Sequence, residues 1–251
     1  VEAAWTCLDP NNTPLKYKLC HINFWAKDPA TAEYIPEEPT YDVGVINRYI
    51  AAMKKKGWLC GLNHPAWSRQ TTEEINGISG IDTFEVYNHG SFRLYNNGDG
   101  QIQYSMYLAD GKRAWATAVD DNHAGFREDG SISVTDDTRG GFIMMSMPQL
   151  SYANFAEALE NGSFYASTGP EIKELYIDEE RDMLVLECSP IQRIIVSGVH
   201  TVKAARVDAD GDTITHAEIP LGPVREKEPF VFIQLMDSKG NRAYPQPYWF
   251  D

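Results

Sequence analysis

The chain has 251 residues, 43% of them hydrophobic and 23% charged, the proportions of an ordinary globular protein with length for one large domain or two. Lys and Arg number 22 against 36 Asp and Glu, so the net charge is −14, which excludes nucleic-acid backbones and anionic membrane surfaces as expected partners. A small anionic substrate stays compatible with that charge, because bound cations reverse the field locally.

The cysteines, Cys7, Cys20, Cys60 and Cys188, show no C-x-x-C spacing and read as reduced structural thiols rather than a disulfide framework. With no signal-peptide pattern and no apolar run near the ~20 residues of a membrane span, a cytoplasmic location is expected. The chain opens at Val1-Glu2 without an initiator methionine, so a processed product or a fragment of something longer is also an expectation.

Val1 to Cys7 reads as a short strand with Glu2 near one end, followed after a Pro/Asn loop by a strand-like run from Leu15 to Trp25 that carries His21. Residues 27–41, rich in Pro and Glu, look like a surface excursion. Val45, Ile46, Tyr49, Ile50 and Met53 fall at helical spacing behind Asp42 as N-cap, and Lys54-Lys55-Lys56-Gly57 closes that helix as its dipole and a left-handed terminus prefer. Trp58 to Leu62 predicts a buried strand ending in Asn63-His64-Pro65, where proline stops the strand. A short helix around Thr72 to Asn76 leads to a strand at Thr83 to Tyr87, which terminates in Asn88-His89-Gly90. A turn cluster at Asn96 to Gly100 precedes a helix over Ile102 to Ala109, and Ala114 to Val119 predicts a strand running into Asp121. Phe142 to Met147 predicts another strand, and Ser151 to Gly162 a capped helix.

Alternating strands and helices argue for parallel βαβ units, and polar residues recur where successive strands end. This fits a barrel rim better than a dinucleotide crevice, since no G-x-G-x-x-G occurs. After Gly169-Pro170 the texture changes to short strands separated by turns such as Asp208 to Asp212 and Asp237 to Gly240. The division expected is therefore residues 1–170 as an α/β part and 171–251 as a small β-sandwich-like domain. The Asp208 to Asp212 turn lacks the glycine and glutamate positions of a calcium loop, and Ser167-Thr168-Gly169 lacks the lysine of a P-loop.

Glu2, His21, His64, Asp121 and His123 each stand at or near a predicted strand end. A structural or surface role is the default for any one histidine of the six, but imidazoles and carboxylates recurring at strand ends form a donor set suited to Zn, Mn or Fe. His200 and His216 lie in the β segment and read as surface residues; His89 follows a strand end without a clear place in the set.

The ordered series Val-Glu, an isolated His after a strand, Asn63-His64-Pro65, Phe84-Glu85-Val86-Tyr87-Asn88 and Asp121-x-His123 resembles the PHP (polymerase and histidinol phosphatase) superfamily. Phe164 to Pro170 and the closing segment, with Asp237 to Gly240 and Ala243 to Pro247, are similar to its carbaryl-hydrolase-like (CehA/McbA-type) metallohydrolase branch. The resemblance implies a partial, distorted (β/α)7 barrel, TIM-like, followed by the β domain. It also implies a multinuclear centre of up to three divalent ions. By motif, Glu2, His21 and His64 would hold one ion, Asp121 a second and His123 a third. The family's opening His-x-His and Thr-Asp-His motifs have no counterpart, so a preceding segment or a companion chain completing the barrel is an expectation.

The function so implied is a metal-dependent hydrolase, foremost a phosphoesterase acting on a small ester or phosphoester through activated hydroxide. Asp121 would serve also as proton acceptor, Asn88 as a hydrogen-bonding group for substrate, and Arg69 or Arg127 as a clamp on an anionic group. The alternative is a metal-binding, non-catalytic remnant whose β module recognises a glycan or protein.

Overall fold

The computed structural model describes residues 1–7, 18–36, 40–123, 137–199, 205–208, 211 and 213–250. It divides into one unit of Val1–Thr138 with Met145–Ser163, and another of Arg139–Met144 with Phe164–Asp251.

The first unit runs β1 (Glu2–Cys7), β2 (Lys18–Ala26), α1 (Val43–Lys55), β3 (Trp58–Leu62), α2 (Thr72–Gly77), β4 (Thr83–Asn88), α3 (His89–Tyr95), α4 (Gln101–Ala109), β5 (Trp115–Val119) and, further on, α5 (Tyr152–Asn161). Its five strands form one sheet in the order β1-β2-β3-β4-β5. β1 pairs antiparallel with β2, and β2 with β3, while β3, β4 and β5 are parallel. β3 is buried at every residue, as a strand covered on both faces must be.

Local signals in the sequence explain the helices. The Asp42 carboxylate accepts the Val45 N–H (2.9 Å), and α1 buries Ile46, Tyr49, Ile50 and Met53 on one face. Thr71 and Glu74 form a reciprocal capping box at α2. Ser151 caps α5, and Gly162 ends it in the left-handed region at φ 70°.

The second unit takes β6 (Phe142–Met145, whose last residue falls in the first unit), β7 (Phe164–Ser167), β8 (Ile172–Asp178), β9 (Met183–Ile191), β10 (Arg193–Ser197), β11 (Ala205–Asp208), β12 (Ile214–Pro220), α6 (Gly222–Arg225), β13 (Phe230–Met236), β14 (Arg242–Tyr244) and β15 (Tyr248–Trp249). One sheet has the order β11-β10-β13-β14-β7-β6, with β15 on β13, and the other β12-β9-β8. Leu184, Leu186 and Ile219 of the smaller sheet and Ile194, Val196, Ile233 and Leu235 of the larger share one apolar core. β6 and β7, which the sequence assigned to the α/β part, thus belong to this unit's sheet.

The expected partial (β/α)7 barrel, and with it the TIM-like architecture, is not what the chain forms. The described residues make three open sheets with no barrel closure, and strands predominate over helices. A (β/α) barrel needs every strand parallel to the next through a crossover helix. Here α1 joins antiparallel neighbours, and in the five-stranded sheet parallel pairing is confined to β3/β4 and β4/β5. The sequence pattern gave the alternation of elements but not the strand directions. Among the described residues no helix is long and apolar enough to cross a membrane.

Gly61 shows how closely the first sheet is packed. A Cβ there would press into the Thr83 hydroxyl and meet the Trp25 ring at 2.9 Å. Gly61→Ala is expected to lower the unfolding free energy by about 1–3 kcal/mol through overpacking, read as a lower midpoint in chemical denaturation with an unchanged slope.

Candidate functional site

The parallel pairing of β3, β4 and β5 puts their C-terminal ends on one edge, and His64, Asn88 and Asp121 stand at or just beyond those ends. β2 runs the other way, so the start of that strand, carrying His21, meets the end of β3; the Asn63 N–H donates to the His21 carbonyl at 3.0 Å. β1 pairs with β2 so that Ala4 faces His21 and Glu2 faces Asn23. Glu2 is therefore a diagonal neighbour of His21 on the same sheet face, within reach of its ring.

Glu2 Oε1 lies 3.2 Å from His21 Nδ1, and the Asn63 amide donates to the same oxygen at 3.0 Å. The His21 and His64 rings meet edge to face, centroids 4.9 Å apart. One ligand atom from each of Glu2, His21 and His64 can be chosen so that all lie within 4.8 Å of one another, the one such group among the described residues. Donors about 2.0–2.2 Å from a zinc ion lie at most about 4.4 Å apart, so small side-chain adjustments suffice. The donor chemistry fits too, with one carboxylate and two imidazoles.

The His21 ring, sharing a hydrogen bond with Glu2, holds that carboxyl below its ordinary value despite partial burial. Burial, with His21 beside it, pushes His64 down to about 4, which keeps the ring neutral and able to ligate. His64 Nδ1 shares a hydrogen bond with the Ser68 hydroxyl (3.0 Å), leaving Nε2 as its ligating atom.

All five residues expected from the sequence as ligands, Glu2, His21, His64, Asp121 and His123, line one cavity of about 310 Å³ together with Trp67, Gly90, Ser91, Leu94 and Tyr95. They are not equally close. Asp121 and His123 lie outside the tight trio. The His123 ring lies against the Asp121 carbonyl (Nδ1 to O 2.7 Å), and its side chain is 65% exposed. Asp121 Oδ2 accepts from the Asn88 amide at 3.0 Å.

Asn88 holds a different place from the substrate contact expected of it. It is buried, its Oδ1 caps α3 by accepting the Ser91 N–H (2.8 Å), and its Nδ2 donates to both Asp121 and Glu85. Its amide ties the site together from behind the lining. Arg69 lines an adjoining cavity instead, and Arg127 lies outside the described residues, as does His200. His89 Nδ1 shares a hydrogen bond with the Tyr87 hydroxyl (2.9 Å), and His216 lies near Glu187 in the second unit.

Sequence reasoning missed Glu85. Its Oε2 accepts the His64 backbone N–H at 2.7 Å and the Asn88 amide at 3.1 Å. Burial raises its pKa to about 8, against the lowering effect of those two donors. His64 has φ 27° and Asp121 φ 48°, a region unfavourable for L-residues, so the hydrogen bonds that fix them matter. Gly90 permits the same close approach, because a Cβ there would meet the Asp121 carbonyl at 2.7 Å. A charged residue amid the buried residues of β4 was the available signal for Glu85.

Comparison with protein-family models, with curated proteins and with solved structures returned no match. The PHP resemblance therefore stands on the motif series alone.

Glu85→Ala leaves the His64 N–H and one Asn88 donor without an acceptor, and is expected to cost roughly 3 kcal/mol of unfolding free energy. Glu85→Gln keeps an acceptor oxygen at the same place and is expected to recover most of that loss. Urea denaturation of the two variants beside wild type checks the difference.

Proposed function

We propose that this chain is a metal-dependent hydrolase of esters, foremost phosphoesters, with Glu2, His21 and His64 holding a divalent Zn, Mn or Fe ion. The observation that carries the reading is the convergence of those three side chains, donor atoms within 4.8 Å, on a cavity that Asp121 also lines. Three protein ligands of this kind leave a coordination position open, as hydrolytic sites do. The charge pattern supports a cation: Glu2 and Asp121 face the cavity, and among the described residues no Lys or Arg lines it.

An ion bound there supplies Lewis acidity toward the substrate oxygens and lowers the pKa of water into the neutral range. Asn88 occupies Asp121 Oδ2 and so orients the carboxylate, leaving Oδ1 to take the proton of the attacking water. Ser68, at His64 Nδ1, fixes the ring and leaves Nε2 for an ion. Trp67 stands edge to face against the same ring, centroids 4.9 Å apart, and supports its orientation.

Elemental analysis and turnover of bis(4-nitrophenyl) phosphate test the reading together. Wild type is expected to bind at least one divalent ion, to lose turnover on chelation and to regain it with Zn, Mn or Fe. His64→Ala is expected to lose that ion and to slow turnover by at least ~100-fold. Asp121→Asn is expected to retain the ion while kcat falls by ~100-fold or more. Full metal content with unchanged turnover in His64→Ala would sink the assignment; metal without turnover in wild type would favour a non-catalytic site.

A further inference from the structure

A second cavity, about 570 Å³, adjoins the first, and Trp67 and Tyr95 line both. Two cationic side chains face it in different states. Lys18 is ion-paired with Glu74, whose carboxylate also accepts the Thr71 N–H (2.9 Å) and hydroxyl (3.0 Å). That pair is neutral overall and leaves little capacity for a ligand. Arg69 is exposed, and among the described residues its guanidinium has no hydrogen bond or ion pair.

The backbone around Arg69 is held firmly. The Ser68 N–H donates to the His64 carbonyl (3.0 Å), that of Arg69 to Ala66 (3.1 Å) and that of Gln70 to Pro65 (3.2 Å). One tight turn therefore carries His64 of the candidate centre, the Trp67 partition and Arg69. Arg69 itself has φ 53°, where glycine would be unstrained. A guanidinium with no partner among the described residues thus stands in a left-handed conformation, in a protein whose net charge is −14. Its planar fork suits a carboxylate or phosphate, and Trp67 and Tyr95, centroids 6.1 Å apart, give a ring face to lie against.

The geometry points to a substrate subsite in this second cavity, taking an aromatic group against Trp67 and Tyr95 whose carboxylate or phosphate is held by Arg69. The inference rests on the hydrolase reading for the scissile bond on the far side of Trp67, so that the substrate is an ester with a distal anionic ring. Recognition of the anion needs no metal, which lets the two ideas be tested apart.

Calorimetric titration of the chelator-treated full chain with phenyl phosphate tests the subsite without turnover and without ions at the neighbouring centre. Saturable binding is expected in wild type, at least tenfold weaker in Arg69→Gly. That variant relieves the φ 53° backbone and should melt no lower than wild type, so weaker binding would not reflect unfolding. Arg93→Met, which changes an exposed arginine of α3 that lines neither cavity, is expected to bind as wild type. Inorganic phosphate, lacking the ring, and benzyl alcohol, lacking the charge, are each expected to bind at least tenfold more weakly than phenyl phosphate. Equal affinity in wild type and Arg69→Gly, or equal affinity for inorganic and phenyl phosphate, overturns the proposal. Failure of metal-dependent turnover with Arg69-dependent binding intact would instead count against the hydrolase reading alone.

Discussion

The buried Glu85 carboxyl is the joint on which the candidate site depends. It ties β4 to the end of β3 through the His64 N–H, and to the end of β5 through Asn88, which also donates to Asp121. Strand ends are where a parallel sheet runs out of ladder partners, and polar side chains must satisfy the backbone groups left over. Burying a carboxyl there is unfavourable for its charged form, as its raised pKa records. What it gives in return is geometry: three strand ends held in register with two backbones in left-handed conformations.

The site is assembled in two ways that meet at β3. From one side, parallel β4 and β5 bring Asn88 and Asp121 to the same edge as His64. From the other, the antiparallel arm of β1 and β2 brings Glu2 and His21 by register, with Asn63 as the link: its N–H holds the His21 carbonyl and its amide holds Glu2. Asn63 thus does for the trio what Asn88 does for Asp121. Both are asparagines at strand ends, each using its side-chain amide to orient a carboxylate.

The legible part of the sequence was the part governed by short-range physics. Asp42, Ser151 and Gly162 mark helix ends, because caps and left-handed terminators act over a single turn. Recurrence of donor residues at strand ends pointed to the five residues that line the smaller cavity, whereas the grouping of Glu2, His21 and His64 on one ion came from the motif resemblance. Strand direction was not, since Ile22 opposite Leu62 is a contact between residues far apart in the chain and either polarity leaves the same hydrophobic pattern. The helix at His89–Tyr95 was missed because Asn88-His89-Gly90 reads as a turn; Asn88 proves to be its cap. Glu85 was passed over as one residue of a strand run, although a carboxyl on a strand buried at all but one position requires hydrogen-bond donors close by.

The two adjoining cavities differ in sign. Glu2 and Asp121 line the smaller, where the nearby Glu85 is pushed up partly by the charge of both. Like charges gathered in a partly desolvated place repel, and a cation among them relieves that repulsion while taking the lone pairs of the two imidazoles. Among the described residues the larger cavity has a guanidinium without an ion pair and a neutralised Lys18–Glu74 pair, so the charge they leave over is positive. Trp67 separates the two environments and contacts His64 on one side and Tyr95 on the other. The substrate proposed above, with an ester at one end and an anionic ring at the other, would place its ring charge at the guanidinium and its ester at the carboxylate-lined end. With the proposed ion in place the two carboxylates are offset, so orientation of that substrate would fall to Arg69 at the ring end and to the ion at the ester end.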